Sequence, residues 1–533
     1  MNKKIGILLL AAVFVLIGCN QKKSGENLDS SIEKKIDKIM ADMTLEEKVG
    51  QMAQFTLDVI GKGPNVFSSD EPFQIDQAML DTVIGKYKVG SILNTANNRA
   101  RTPEVWEYIV RTIQERAIKE TGIPVIYGID SNHGTTYTAG GTFFPQEIGM
   151  AATFNTALTE EGSRISAYET RASNIPWTFN PTMDLGRDAR WSRQWESYGE
   201  DPYLNARMAV ASVKGFQGPD HNNIGRDYIA ACIKHYMGYG VPVSGKDRTP
   251  AVISERELRE KFFEPFRASI VEGKALSLMV NSGIINGVST HADHRLITEW
   301  VKNELNFDGV IVSDWADIPN LFNRDHIAAD YRGAVKAAIN AGVDMVMEPY
   351  NVAFCPTLVQ LVKDKEVPMS RIDDAVRRVL RMKFRLGLFD RPNWSVADYP
   401  KFGSKEHEAA AKKAADESIT LLKNVNNTLP LKQGARILVT GPNANSMRTL
   451  NGGWSYSWQG EKTEEFAQGY NTILEAMRNK FGEGNVRYAA GVEYKMDGQY
   501  FEELPPQIGQ AVAAASGVDY IVLCVGENSY CET

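Results

Sequence analysis

Short apolar runs alternate with longer amphipathic stretches along residues 30–390. The runs have the length of buried strands, and segments such as 257–273 and 331–342 carry apolar residues at helical spacing. Repeated strand–helix alternation over this length favours a parallel barrel. We therefore predict an α/β fold with a (β/α)8 TIM-type barrel over residues 30–390. The strand candidates are IPVIYGID (123–130), IPWTFNP (175–181), YIAACIKHY (228–236), ALSLMVNSG (275–283), GVIVSDW (309–315) and GVDMVMEP (342–349).

A second α/β region follows a proline-containing stretch. RPNWSVADYP begins the segment 391–405, which we interpret as a linker. Residues 406–533 are predicted to form a partial α/β sandwich domain. Because the chain ends at Thr533, just after a strand and a turn, we expect it to be C-terminally truncated. The elements of this region are the strands ARILVTGPNANS (435–446) and DYIVLCVGENS (519–529) and the helix PPQIGQAVAAASG (505–517).

The N-terminus has the pattern of an export signal. Lys3 and Lys4 precede an apolar run from Ile5 to Ile17, which is too short to span a bilayer comfortably. The run ends in LIGC, which resembles a bacterial lipoprotein box. We expect a signal peptide over residues 1–19, a lipid on Cys19, and a polar tether over residues 20–29. The protein would be exported and anchored in the periplasm or at the outer membrane. An ordinary signal peptide with a chance cysteine is the alternative.

Charge and cysteine content exclude several classes of protein. The net charge is −7, and no basic block follows the leader, which argues against nucleic acid as a partner. Membrane contact is expected only through Cys19. The other four cysteines show neither metal-ligand spacing nor a dense disulfide framework, so we expect no metal and no cofactor. They are Cys232, Cys355, Cys524 and Cys531.

Several predicted strands end in polar residues. In barrel enzymes the active site lies at the carboxyl ends of the strands, so we expect these residues to converge in one pocket. The alternative is that each is a strand-end cap or part of a buried ion pair. The residues are Asp130, Lys234, His235, Asn281, Ser282, Asp314 and Glu348.

Asp314 and Trp315 end the run GVIV. A carboxylate held there could act as the nucleophile in glycoside hydrolysis. Retaining enzymes place two carboxyl groups ~5–5.5 Å apart, and one of them attacks the sugar. The indole offers a flat apolar face to a pyranose ring, and Lys234, Arg190 and Arg193 are available to keep the carboxylate ionised or to bind hydroxyls. A metal-dependent hydrolase or an aldolase-like barrel would show a similar pattern.

The sequence resembles glycoside hydrolase family 3 in nine stretches that follow the family's order. The resemblance implies a barrel domain followed by an α/β sandwich domain, with the site in the cleft between them. The stretches are MTLEEKVGQM (43–52), GIDSNHG (128–134), TFFPQEIGMAATFN (142–155), GRDARWSRQWESYGEDP (186–202), IKHY (233–236), INGVSTHA (285–292), GVIVSDW (309–315), AVRRVLRMKFRLGLF (375–389) and ESITLLKNVNNTLPL (417–431).

The resemblance implies roles for individual residues. Asp314 matches the nucleophile of a retaining mechanism. We interpret Arg190 as one partner of a structural ion pair. For His235 the alternative to binding the sugar is that it only buttresses the site. The positions that match residues holding the sugar hydroxyls in subsite −1 are Asp130, Arg193, Lys234 and His235.

Two stretches of the second region resemble the plant-type β-glucan exohydrolases and their bacterial relatives. From GGWSYSWQG (452–460), Trp458 would face Trp315 and form an aromatic clamp at subsite +1, with a packed core tryptophan as the alternative. From VGENSYCET (525–533), Glu532 would be the acid/base, with Glu527 as the alternative. Because Glu532 is the penultimate residue, we expect a poorly held loop if the chain ends there.

The function implied by this resemblance is that of a retaining, exo-acting β-glucosidase or β-glucan glucohydrolase. Its substrate would be an oligosaccharide or an aryl or alkyl β-glucoside. A β-xylosidase and a non-catalytic glycan-binding lipoprotein are the alternatives. The N-acetylglucosaminidase branch is disfavoured, because no histidine follows in the loop KHYMGYGVPVSGKDRTP (234–250).

Overall fold

The computed structural model describes residues 30–496 and 498–532. The predicted signal peptide, the tether and Cys19 lie outside the described residues. Within the described part of the chain, none of the helices is both long and apolar enough to cross a bilayer.

The first domain is a barrel of eight parallel strands, in the order β10-β1-β2-β3-β4-β5-β6-β9. A parallel bridge between Val312 and Met345 joins the two ends and closes it. The predicted (β/α)8 fold is therefore confirmed. In chain order the strands are β1 Ala53–Thr56, β2 Ser91–Leu93, β3 Ile126–Ile129, β4 Trp177–Thr178, β5 Ala230–Tyr236, β6 Ser277–Val280, the hairpin β7 Ile284–Ile285 with β8 Val288–Ser289, β9 Val310–Val312 and β10 Val346–Met347.

Strands β1 and β2 were not among the sequence candidates. Both are short and fully buried, and each contains a polar residue that interrupts the apolar pattern. Inside the barrel, Gln54 donates to the Ser91 hydroxyl at 2.8 Å, and Ser91 donates to the Ile126 carbonyl at 2.9 Å. Buried polar groups that hydrogen-bond to one another are compatible with a barrel interior. Because they shorten the apolar run, a search for apolar runs does not find the strand.

The helices surround the barrel, and local sequence sets their ends. In the helix Pro103–Thr121 the Thr102 side chain caps the first turn, proline occupies the first position, and Gly122 ends the helix in the left-handed conformation. The others are residues 30–42, Leu45–Gln51, Gln77–Leu80 continuing to Lys86, Glu147–Ala152, Thr156–Ala172, Pro202–Gln217, Glu255–Glu257 continuing to Val271, Arg295–Glu304, Asp317–Asn323, Tyr331–Ala341, Phe354–Lys363, Met369–Arg385 and Lys405–Ser418.

The second domain contains a three-stranded parallel sheet in the order β12-β11-β13. The last strand has an uncovered face, where Ile521 and Leu523 are more than half exposed, as is Val525 just after the strand. The strands are β11 Ile437–Thr440, β12 Val486–Tyr488 and β13 Tyr520–Leu523, and the helices are Met447–Asn451, Thr463–Phe466, Ile473–Phe481 and Ile508–Ala514.

Candidate active site

A cavity of about 570 Å³ lies at the carboxyl ends of the barrel strands, between the barrel and the second domain. Barrel strands deliver Asp130, Lys234 and Asp314 to it, and the second domain contributes Trp458 and Glu532. The predicted site residues that line it are Asp130, Arg193, Lys234, His235, Asp314, Trp315, Trp458 and Glu532.

Three of the strand-end residues do not line this cavity, so the prediction that all of them converge is wrong. Asn281 donates to a main-chain carbonyl within the barrel. Ser282 donates to Asp317 at 2.9 Å, and Glu348 accepts from the Tyr331 hydroxyl at 3.1 Å. These side chains form internal hydrogen bonds, as the strand-cap alternative proposed.

Asp314 is held at the end of β9 with one carboxylate oxygen unbonded. Its main-chain N–H donates to His291 Nε2 at 3.1 Å, and its Oδ1 accepts from the Trp315 N–H at 2.6 Å. Oδ2 has no hydrogen-bond partner in the described part of the chain. The carboxylate is thus fixed through one oxygen and leaves the other available for a ligand.

Burial and a neighbouring carboxylate shift the ionisation of Asp314. Burial, together with the negative charge of Asp317, raises its pKa to about 7, against the opposing effect of Arg248 and Arg193. Asp317 itself is bound by Ser282 and by Arg324 at 3.2 Å. Asp314 therefore changes charge near neutral pH.

Lys234 and Asp130 form a buried ion pair on the cavity wall. Lys234 Nζ lies 2.8 Å from Asp130 Oδ1 and 3.1 Å from Asn132 Oδ1. Asn94 donates to the other Asp130 oxygen at 3.1 Å. Burial opposes the charge on Lys234, but the Asp130 and Glu196 carboxylates together raise the lysine pKa. A charged donor and an acceptor therefore stand side by side, which suits sugar hydroxyls.

His235 is a neutral imidazole. Burial and the charges of Arg193, Lys234 and Arg248 hold its pKa well below the usual value. Its Nδ1 lies 2.7 Å from Asp184 Oδ2, so the ring is oriented from behind. The structure gives His235 contacts for both interpretations, since it is buttressed by Asp184 and also lines the cavity.

The two arginines of the RWSR segment (190–193) differ in burial and in their ion-pair partners. Arg193 is fully buried, and its Nε and Nη2 donate to Glu196 at 3.0 and 2.8 Å. Arg190 is outside the cavity, with its side chain two-thirds exposed and paired with Asp188.

Glu532 connects the second domain to the barrel. Its Oε1 lies 3.2 Å from Arg193 Nη1, and its Oε2 accepts from Arg248 Nη2 at 2.5 Å. By contrast, Glu527 is exposed, accepts from the Tyr530 hydroxyl at 2.7 Å, and does not line the cavity.

The loop that carries Glu532 is also held within its own domain. Gln459 exchanges two hydrogen bonds of 2.8 Å with the main chain of Cys531. Arg448 donates to the Ser529 hydroxyl at 2.7 Å. The sequence did not predict these contacts, which give Glu532 a defined position. Cys531 and the three other cysteines within the described residues are buried free thiols.

Both predicted clamp tryptophans lie in the cavity wall. The main-chain N–H of Trp458 donates to Asn98 Oδ1 at 2.6 Å, and the Trp315 ring meets Tyr350 edge to face. Trp454 is buried and also lines the cavity. Its ring lies 5.4 Å from Lys234 Nζ.

Sequence reasoning missed other residues of the cavity wall. Arg248 belongs to the loop after β5, and Tyr350 follows β10 by three positions, so their places after strand ends were a usable signal. Phe67 lies in a long connection and gave no signal.

Comparisons with known proteins identify the family. Residues 44–382 match the Glycosyl hydrolase family 3 N terminal domain, and residues 419–533 match the Glycosyl hydrolase family 3 C-terminal domain. The chain belongs to glycosyl hydrolase family 3.

Three similar proteins illustrate the relationship. Lysosomal beta glucosidase of Dictyostelium discoideum is 37% identical over 95% of this chain and 63% of its own length. Periplasmic beta-glucosidase of Salmonella typhimurium is 32% identical over 92% of this chain and 62% of its own length. The crystal structure of exo-1,3/1,4-beta-glucanase (ExoP) from a Pseudoalteromonas species superimposes with a TM-score of 0.78 at 32% identity, covering 94% of this chain and 59% of the other.

The chain therefore spans about three-fifths of the length of these relatives.

Gly453 tests how the Glu532 loop is held. A Cβ at this position would overlap Cys531 Sγ and the Tyr530 carbonyl oxygen. We expect Gly453→Ala to displace the loop and to speed amide hydrogen exchange at Cys531, measured by mass spectrometry. Gly469→Ala is the control, because a Cβ there meets open space. Equal exchange in the two variants would contradict this view of the loop.

Proposed function

We propose that the protein is a retaining, exo-acting β-glucosidase or β-glucan glucohydrolase. The observation that carries this proposal is that Asp314 and Glu532, from two different domains, line one cavity with a paired lysine and aspartate. Two carboxyl groups with separate roles are what glycoside hydrolysis requires. The names of the similar proteins support the same chemistry.

Asp314 acts as the nucleophile in this mechanism. Its unbonded Oδ2 attacks the anomeric carbon, and the bond from that carbon to the leaving oxygen breaks. Glu532 gives its proton to the leaving oxygen. In the second step Glu532 takes a proton from water, the water oxygen attacks the anomeric carbon, and Asp314 is released.

Glu532 must lose one contact to carry a proton, since both of its oxygens meet guanidinium groups. The contact to Arg193 is the longer one, at 3.2 Å against 2.5 Å for Arg248. In this mechanism the leaving-group oxygen displaces Arg193, which keeps its two bonds to Glu196. Arg248 continues to position Glu532 throughout the reaction.

The remaining residues hold the sugar. Asp130 accepts from its hydroxyl groups, and Lys234 and Arg193 donate to them. Trp315 and Trp458 stack against the apolar faces of the next ring, and this kind of contact tolerates more than one linkage.

The same residues would serve a β-xylosidase, so the rate of hydrolysis of an aryl β-glucoside is compared with that of an aryl β-xyloside. Faster xyloside hydrolysis would favour that alternative.

Substitution of the carboxylates tests the roles. Asp314→Asn removes the nucleophile, so we expect kcat/KM for an aryl β-glucoside to fall by on the order of 10³-fold or more. Glu532→Gln removes the proton donor, so the loss should be on the order of 100-fold for alkyl glucosides and smaller for good leaving groups.

Glu527→Gln is the matched control for Glu532→Gln, because Glu527 lies on the same loop but outside the cavity. We expect it to behave like the wild type. A larger loss in Glu527→Gln than in Glu532→Gln would exchange the two assignments. An Asp314→Asn variant as active as the wild type would exclude Asp314 as the nucleophile, whereas a wild type without any glucosidase activity would leave the glycan-binding alternative.

The pH profile tests the charge environment of Asp314. The nucleophile must be ionised, and its pKa is raised to about 7, so kcat/KM should fall as the pH drops through about 7. Asp317→Asn removes a neighbouring negative charge and should move this acidic limb about one unit lower. Asp188→Asn, at an exposed pair outside the cavity, is the control. An acidic limb that stays in place in Asp317→Asn would contradict the assigned coupling.

The proposed location is outside the cytoplasm, with a lipid on Cys19. The basic and apolar pattern of residues 3–17 and the sequence LIGC support it. We expect Cys19→Ser to abolish incorporation of labelled fatty acid and to release the protein from the membrane fraction. Labelling that persists in this variant would exclude Cys19 as the anchor.

A further inference from the structure

Three aromatic rings form a row from Asp314 to the mouth of the cavity. Trp315 follows Asp314 directly, and its ring meets Tyr350 edge to face with centroids 5.7 Å apart. Tyr350 meets Phe67 in the same way at 4.7 Å. All three rings line the cavity, and Phe67 is 68% exposed. The row therefore leads from the partly buried interior to solvent.

The loop of residues 61–75 holds Phe67 in place at the mouth. Asn65 Oδ1 accepts from the Phe67 N–H at 2.9 Å, which fixes the tip of the loop. Glu71 accepts two hydrogen bonds of 2.7 Å from Arg101, whose side chain is almost fully buried. An exposed aromatic ring on a braced loop is a feature of binding surfaces.

A carboxylate lies beside this row. Asp58 is buried at the cavity wall, and its Oδ1 accepts from Ser69 Oγ at 3.0 Å and from the Asn97 N–H at 3.2 Å. Its Oδ2 accepts no hydrogen bond from the described part of the chain. Asp58 and Tyr350 line the same cavity, and burial together with the Asp58 charge raises the pKa of the Tyr350 hydroxyl to about 12.

We propose that Phe67, Tyr350 and Asp58 form a binding subsite for a second leaving-group sugar, beyond the ring held at Trp315. The apolar faces of a pyranose would contact the two rings, and a hydroxyl would donate to Asp58 Oδ2. The ligand class is β-linked gluco-oligosaccharides of three or more units. This inference rests on the proposed function, because Asp314 and Trp315 define the direction in which the substrate runs.

The test compares the affinities of trisaccharides and disaccharides. Asp314→Asn protein is titrated calorimetrically with cellobiose and cellotriose, and with laminaribiose and laminaritriose. We expect the trisaccharide of at least one pair to bind roughly fivefold more tightly, which corresponds to about 1 kcal/mol for one aromatic contact. Adding Phe67→Ala should abolish this preference, and Phe67→Trp should keep it.

Phe154→Ala is the matched control, since Phe154 is 77% exposed and lies outside the cavity. It should keep the trisaccharide preference. A preference that survives Phe67→Ala, or equal affinities for both sugars of each pair in the parent, would overturn the subsite. Failure of the wild type to hydrolyse aryl β-glucosides would overturn the proposed function instead, while the affinity ratio would still decide the subsite.

Discussion

The position of Glu532 between Arg193 and Arg248 is the constraint on which the cavity depends. These contacts join a loop of the second domain to two segments of the barrel that lie hundreds of residues earlier in the chain. Without them, the Glu532 carboxylate would no longer be held against the barrel side of the cavity. Arg193 is itself fixed by Glu196, so the connection is rigid on the barrel side.

Burial sets the charge of the groups around this connection. Lys234 stays charged because Asp130 contacts it, whereas His235 is neutral because it is buried and positive charges surround it. The charges of Asp317 and Glu532 oppose the ionisation of Asp314. The charges of Arg248 and Arg193 favour it. The charge of the proposed nucleophile therefore depends on Glu532 and on the two arginines that Glu532 contacts.

Sequence patterns predicted the barrel because most of its strands are apolar runs that end in polar residues. They failed at β1 and β2, where Gln54 and Ser91 bond inside the barrel. The positions of Asp130, Lys234 and Asp314 could be predicted because each lies at the carboxyl end of a barrel strand, where the active site of such a fold is located. Phe67 was missed because it lies in a long loop and its partner Tyr350 lies far away in the chain.

Identification of the residue that bonds covalently to the sugar tests the central claim most directly. The protein is incubated with an activated 2-deoxy-2-fluoro β-glucoside, whose glycosyl–enzyme intermediate hydrolyses slowly, and its proteolytic peptides are then weighed by mass spectrometry. We expect one added fluoroglucosyl group, on the peptide that contains Asp314. A label on any other carboxylate, or turnover of aryl glucosides without any labelling, would contradict it.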